Sequence, residues 1–191
     1  MKAFIFGIIV AVIAIAAGVY FYFDSGNAPV ATSAQPMPFE KMLAKKAQHA
    51  RIEKEMPKTV PIAADAAAYA AGAQVYRDNC AVCHGLPNQP QGHIAAGEYP
   101  PPPQLFQGKG VTDDPAGETY WKADNGLRLT GMPAFGKSLS TTQLWQVSLL
   151  LANADKLPAD VQQTLAAPLQ AAPAQPAPTE TPAPKRRARR R

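Results

Sequence analysis

Five stretches of this chain carry a helical pattern of apolar positions, separated by runs of alanine, proline and polar residues. The first, Ala3–Phe23, holds 21 residues without a charge, and as a helix it would span ~31 Å, the thickness of a bilayer's hydrocarbon core. It reads as a membrane anchor or as a cleaved signal peptide; Lys2 in front and the small residues Ala14, Ala16, Ala17 and Gly18 suit the second. Val19-Tyr20-Phe21-Tyr22-Phe23 prolongs the run with aromatics suited to a membrane interface, which favours the anchor. Lys2 before the span and Asp24 after it predict the near end in the cytoplasm and the remainder outside. Ser25 to Gln35 is a Pro/Ala/Ser linker. From Phe39 to Met56, bounded by Pro38 and Pro57, the residues Phe39, Met42, Leu43, Ala47 and Ala50 form a rough stripe on a short exposed helix. That helix reads as a solvated spacer, with docking on a partner or a membrane surface as the alternative. Asp65 can cap a third helix running through Tyr69, Gly72, Ala73 and Tyr76; Gly72 and Tyr76, four apart, share a face. A short helix follows Pro115, with Glu118 near its start, Tyr120 and Trp121 within, and Gly126 as its stop. Ser140-Thr-Thr-Gln143 is a capping box opening the last helix, with Leu144, Val147, Leu150 and Leu151 on one face and Trp145 and Leu149 beside it.

The pattern divides the chain into an anchor at 1–24, a linker with a short helix at 25–64, a helical domain at 65–157 and an Ala/Pro-rich tail at 158–191. Twenty prolines in 191 residues leave a core of about 90 residues, small enough to gain from an internal prosthetic group. The formal charge of +5 is uneven: Asp65 to Lys156 holds six basic and eight acidic residues, and Lys185 to Arg191 alone holds six basic ones. From Pro158 onward nothing in the pattern can bury a core, so disorder is expected. Outside the cytoplasm a basic tail has no nucleic acid to bind. It is a solvated tail or contacts anionic lipid or an acidic protein. His49, among lysines, reads as a surface residue.

The chemistry concentrates in Cys80-Ala-Val-Cys83-His84, which holds both cysteines of the chain. Two thiols separated by two residues and followed by histidine match the attachment pattern of a c-type haem, with the thiols bonded to the porphyrin and the imidazole on iron. A thioredoxin-like disulfide is the rival, but His84 and the lack of a βαβ pattern count against it. A structural zinc lacks a fourth ligand, since neither His49 nor His93 sits at finger spacing. A haem needs a second axial ligand or a vacancy for chemistry. Met132, in Gly131-Met132-Pro133-Ala134-Phe135, offers a soft thioether 48 positions after His84, on a loop that Pro133 stiffens. Met37, Met42 and Met56 precede the motif in linker sequence, and His93 lies in a Gly/Pro/Gln loop.

The segment from Gly72 to Gly85, with the Gly-Met-Pro segment and its flanking helices, resembles class I bacterial cytochromes c over residues 65 to 156. The resemblance implies an all-α fold of three or more helices around one covalent haem c, with no sheet. It implies thioethers at Cys80 and Cys83, His84 as proximal and Met132 as distal iron ligand, and packing of Gly72 and Tyr76 against the last helix. It also implies a Pro-x-Leu after the motif, matched by Pro103 and Leu105 at the end of Pro100-Pro-Pro-Pro103-Gln104-Leu105. The proline carbonyl would accept a hydrogen bond from the haem histidine, and the leucine would pack on the haem. The loop is longer than in small family members, and four prolines also make a stiff extended rod. The function implied is electron transfer between redox proteins of a respiratory chain, on the periplasmic side of a bacterial inner membrane. No catalytic residue is implied. A cytochrome c subunit of a membrane oxidase or dehydrogenase complex is the near alternative. A sensor or peroxidase, with Met132 leaving the iron, is the distant one.

Overall fold

Asp65 opens α3 (Ala66–Asn79) by accepting a hydrogen bond from the Ala68 amide at 2.8 Å, as its place before an apolar stripe predicts. Ser140 opens α7 (Thr141–Ala152) through a complete capping box with Gln143. These two helices cross and form the centre of the molecule. The crossing passes over Gly72: a Cβ there would collide with the Gln146 carbonyl, so only glycine lets the backbones approach this closely.

The computed structural model describes residues 1–87, 89, 91–106, 112 and 114–169. Among them all regular structure is helical, and no strand occurs. α1 (Lys2–Asp24) has no buried residue and, among the described residues, packs against no other helix. α2 (Glu40–Glu55) lies against α6 (Ala116–Asn125); α4 (Ala81–His84) follows α3 after Cys80, and α5 (His93–Ala96) contacts α4. α6 packs on the second face of α7, where the Tyr120 and Trp145 rings stack with centroids 4.3 Å apart. This explains why Leu144, Trp145, Val147, Leu149, Leu150 and Leu151 are all buried, whereas a surface helix would hide one stripe.

Two expectations are corrected. The segment 40–55 is not simply a solvated spacer: Ile52 is 2% exposed, and the chain after it reaches α6, with the Pro57 carbonyl against Gly117. Nor is the chain without packing from Pro158 on. α8 (Ala159–Ala166) returns against α3 and buries Val161 and Leu165, which join Leu157 in the main core. The Arg77 guanidinium seals its carboxyl end by donating to the carbonyls of Thr164, Ala167 and Pro168 at 2.6–3.0 Å. The rest of the expected disordered tail, 170–191 with its arginines, lies outside the described residues.

Candidate haem site

Tyr76 ties the site to the core. It is fully buried, its ring meets Phe106 edge-on at 4.9 Å, and its hydroxyl donates to the Gly85 carbonyl at 2.7 Å. The single turn of α4, with the two thiols and the imidazole, is thereby pinned at its exit to α3. Burial pushes the Tyr76 phenol well above its ordinary range, so it stays a donor.

Both cysteines are free. Burial, with the neighbouring Cys83, pushes the Cys80 thiol up to about 12, and burial and the Glu98 carboxylate raise that of Cys83. A redox-active Cys-x-x-Cys works by a lowered thiol pKa; here both move the other way, against the thioredoxin-like reading. Among the described residues no group of three or more His, Cys, Asp or Glu side chains gathers that could hold a metal ion.

The His84 ring is half-buried, and its Nδ1 lies 2.8 Å from the Pro103 carbonyl. A carbonyl only accepts, so Nδ1 carries the proton and donates, and Nε2 keeps its lone pair. Burial lowers the pKa of His84, against the opposing effects of the Pro103 carbonyl and of Glu98, and so favours the neutral form a metal requires. Of the four consecutive prolines, Pro103 is the one whose carbonyl meets the ring. Gln91 fixes that register: its Nε2 donates to the Cys83 carbonyl at 3.1 Å and to the Pro102 carbonyl at 2.8 Å, stapling α4 to the proline rod. Leu105 and Phe106 pack, half-buried, on the central cluster.

Met132 stands on a loop strapped to the carboxyl end of α6. The amides of Phe135 and Gly136 donate to the carbonyls of Ala123 and Asp124 at 2.9 and 3.1 Å, and the Leu127 amide to that of Met132 at 3.2 Å. Gly126 ends α6 at φ +66°, and a Cβ on it would come within 2.7 Å of Ala134 N. The turn and the close approach both require glycine. The Thr130 hydroxyl accepts from the Met132 amide at 3.1 Å, and the side chain of Met132 is half-buried.

The loop of Met132 and the Cys-x-x-Cys-His turn converge on Glu98. The Cys83 thiol donates to Glu98 Oε1 at 3.4 Å, while the same carboxyl packs on Gly131, with no room there for a Cβ. Neither Glu98 nor Gln91 belongs to a motif or a periodic stripe, so sequence reasoning gave no signal for them. His93 sits exposed at the start of α5, beside a cavity of about 240 Å³ lined by Val82, Leu86 and Ile94. The donor set suits a covalently attached haem: two unpaired thiols and an imidazole with its second nitrogen held, on one short turn, and a half-buried thioether on a stiff loop joined to that turn through Glu98.

Residues 67–149 match the family model described as cytochrome C oxidase, cbb3-type, subunit III. The match begins at the first turn of α3 and ends within α7, so it spans the motif turn and the loop of Met132. Among curated proteins none matches this chain.

Proposed function

We propose that this chain, whose residues 67–149 are a class I c-type cytochrome domain with covalently bound haem c, is a membrane-tethered one-electron carrier with a single haem. Cys80 and Cys83 would hold the haem by thioethers, and His84 Nε2 and the Met132 sulfur would bind its iron. The haem supplies the ferric/ferrous couple, and the thioether favours a higher potential than a second imidazole would. The protein's own part is positional. Pro103 holds the His84 ring and its tautomer, Gln91 holds Pro103 in register, and the strap to α6 presents Met132. With both ligands permanent, no vacancy serves a substrate. Among the described residues no histidine besides His84 stands in the site. α1 is the tether: 23 helical residues, wholly exposed, with no charge between Lys2 and Asp24 at its two ends. The cytochrome domain then lies on the periplasmic side of a bacterial inner membrane, where such haem is attached.

The observation that supports this reading most is the hydrogen bond from His84 Nδ1 to the Pro103 carbonyl, which leaves the Nε2 lone pair free to bind a metal. Replacing Met132 by Ala tests the other side of the iron. The account expects a markedly lower reduction potential and a ferrous form that binds carbon monoxide; unchanged spectra would remove Met132 from the ligand set. The matched family is described as an oxidase subunit, which supports a second reading, a subunit passing electrons to a catalytic centre on another chain. Purification in mild detergent separates the two: a stoichiometric partner that stays bound excludes the free carrier.

A further inference from the structure

Tyr99 lies between two groups that the site already uses. Glu98 before it meets the Cys83 thiol and packs on Gly131, and the prolines after it lead to the Pro103 carbonyl that holds His84. The Tyr99 side chain itself turns to the start of α2. The Lys41 ammonium lies 5.8 Å from the centroid of its ring, within reach of a cation–π contact. Glu40 stands near the phenol oxygen and is held in turn by the Met37 amide, which donates to its Oε2 at 2.8 Å. That phenol oxygen is closed to water and has no partner in hydrogen-bonding geometry among the described residues, so the side chain serves as a ring rather than as a donor.

α2 is fixed at its other end as well. Ile52 is buried, the helix contacts α6, the Trp121 indole donates to Glu55 at 3.3 Å, and Pro57 rests on Gly117. α6 is the helix to which the Met132 loop is strapped through the carbonyls of Ala123 and Asp124. From Lys41 to Ile52 the helix rises about 16 Å. α2 therefore bridges α6, which carries the methionine loop, and the segment 98–103, which touches both that loop and the motif turn. The linker before α2 closes the same corner: Pro29, Val30 and Pro36 share a cavity of about 250 Å³ with Glu40, Tyr99 and Leu129. Leu129 belongs to the turn in which the Leu127 amide donates to the Met132 carbonyl.

We propose that α2 braces the two ligand loops and that Tyr99 is the positioning residue through which it does so: the ring, held by Lys41, keeps Glu98 against Gly131 and thereby keeps Met132 at the iron. The Met132 loop opens by parting from α6 or from Glu98, and α2 ties those two together. The inference rests on Met132 being the distal ligand of the proposed function.

The test titrates the full-length haem-loaded ferric protein, in detergent, with imidazole, which takes the iron only as Met132 leaves it and so abolishes the far-red band. The imidazole concentration at half loss follows the fraction of protein with Met132 displaced. Tyr99→Leu should lower that concentration roughly tenfold, and the surface change Lys41→Gln roughly threefold. In the Tyr99→Leu background Lys41→Gln should add nothing, because the two act as one contact. Tyr99→Phe, which keeps the ring and removes an unpartnered hydroxyl, should behave as wild type. A half-loss concentration unchanged by Lys41→Gln overturns the brace, and so does a Lys41 effect that persists undiminished without the Tyr99 ring. Loss of the wild-type behaviour in Tyr99→Phe shifts the hold to the hydroxyl and overturns the role of the ring. Variants that unfold at lower denaturant yet titrate as wild type have a packing role alone, which also overturns the proposal. A wild type with no far-red band, matching Met132→Ala in its response to imidazole, refutes Met132 as ligand, and the brace falls with it.

Discussion

Gln91 binds two carbonyls at once, those of Cys83 and Pro102, and so decides which proline meets His84. Gln91→Ala should cost about 1 to 2 kcal/mol, since two half-buried acceptors lose their partner. Denaturant unfolding would show it, and the reduction potential should shift as His84 loses its fixed orientation; unfolding at the wild-type midpoint would contradict the staple. Gly126 is the second such residue. Gly126→Ala meets both the strained φ and the backbone of residues 132–134, and should cost about 1 to 3 kcal/mol. The displaced Met132 loop should then admit carbon monoxide to the ferrous protein; a carbon monoxide-inert variant of wild-type stability would contradict this role for Gly126. The grouping of Cys80, Cys83 and His84 was legible because their spacing puts them on one short turn, and the turn-and-loop setting of Met132 because glycine and proline stand on either side of it. The register of Pro103 among four prolines was legible only through the resemblance, because local sequence distinguishes none of them. Gln91 and Glu98 act across loops, where nothing periodic marks them.

Helices declared themselves in the sequence in proportion to their caps and their stripes. α3 and α7 have both, and their bounds fall where Asp65 and the Ser140 capping box put them. α8 has neither a side-chain cap nor a long stripe. It hides two apolar residues four apart in an Ala/Pro tract, and its carboxyl end is closed by Arg77 from α3, a partner 87 to 91 positions away. Composition suggested disorder there because the burial that orders it is tertiary. Leu165, 1% exposed, should therefore cost about 2 to 5 kcal/mol when replaced by Ala, whereas a free tail would show no change in thermal unfolding. α6 is steadied by Lys122, which pairs with Glu118 at 2.7 Å and Asp114 at 3.0 Å. Burial alone would lower the Lys122 pKa, but the two carboxylates more than offset it and raise it above the ordinary 10.5. A raised folded pKa means stabilisation that is complete below 10.5 and fades as the pH rises through the folded value. Lys122→Met should cost about 1 kcal/mol at neutral pH, and the gap from wild type should close in strongly alkaline solution. A gap independent of pH would assign Lys122 a packing role alone.

At the scale of the molecule, three parts answer to three environments. An apolar helix is long enough to cross a bilayer, α2 faces both water and α6, and the helical core holds the haem turn and the methionine loop. The hydrophobic pattern revealed the first and third, because each has its own period and its own bounds. It did not reveal that α2 is joined to the core, since one buried isoleucine and one tryptophan–glutamate hydrogen bond leave no trace in a pattern of exposed lysines and glutamates. The central claim remains the pair of iron ligands. The visible spectrum of the purified full-length protein, oxidised and reduced, with and without carbon monoxide, tests it most directly. A low-spin c-type spectrum with the weak far-red band of a methionine-bound ferric haem, indifferent to carbon monoxide, is the predicted result. A high-spin ferrous form that binds carbon monoxide would contradict it.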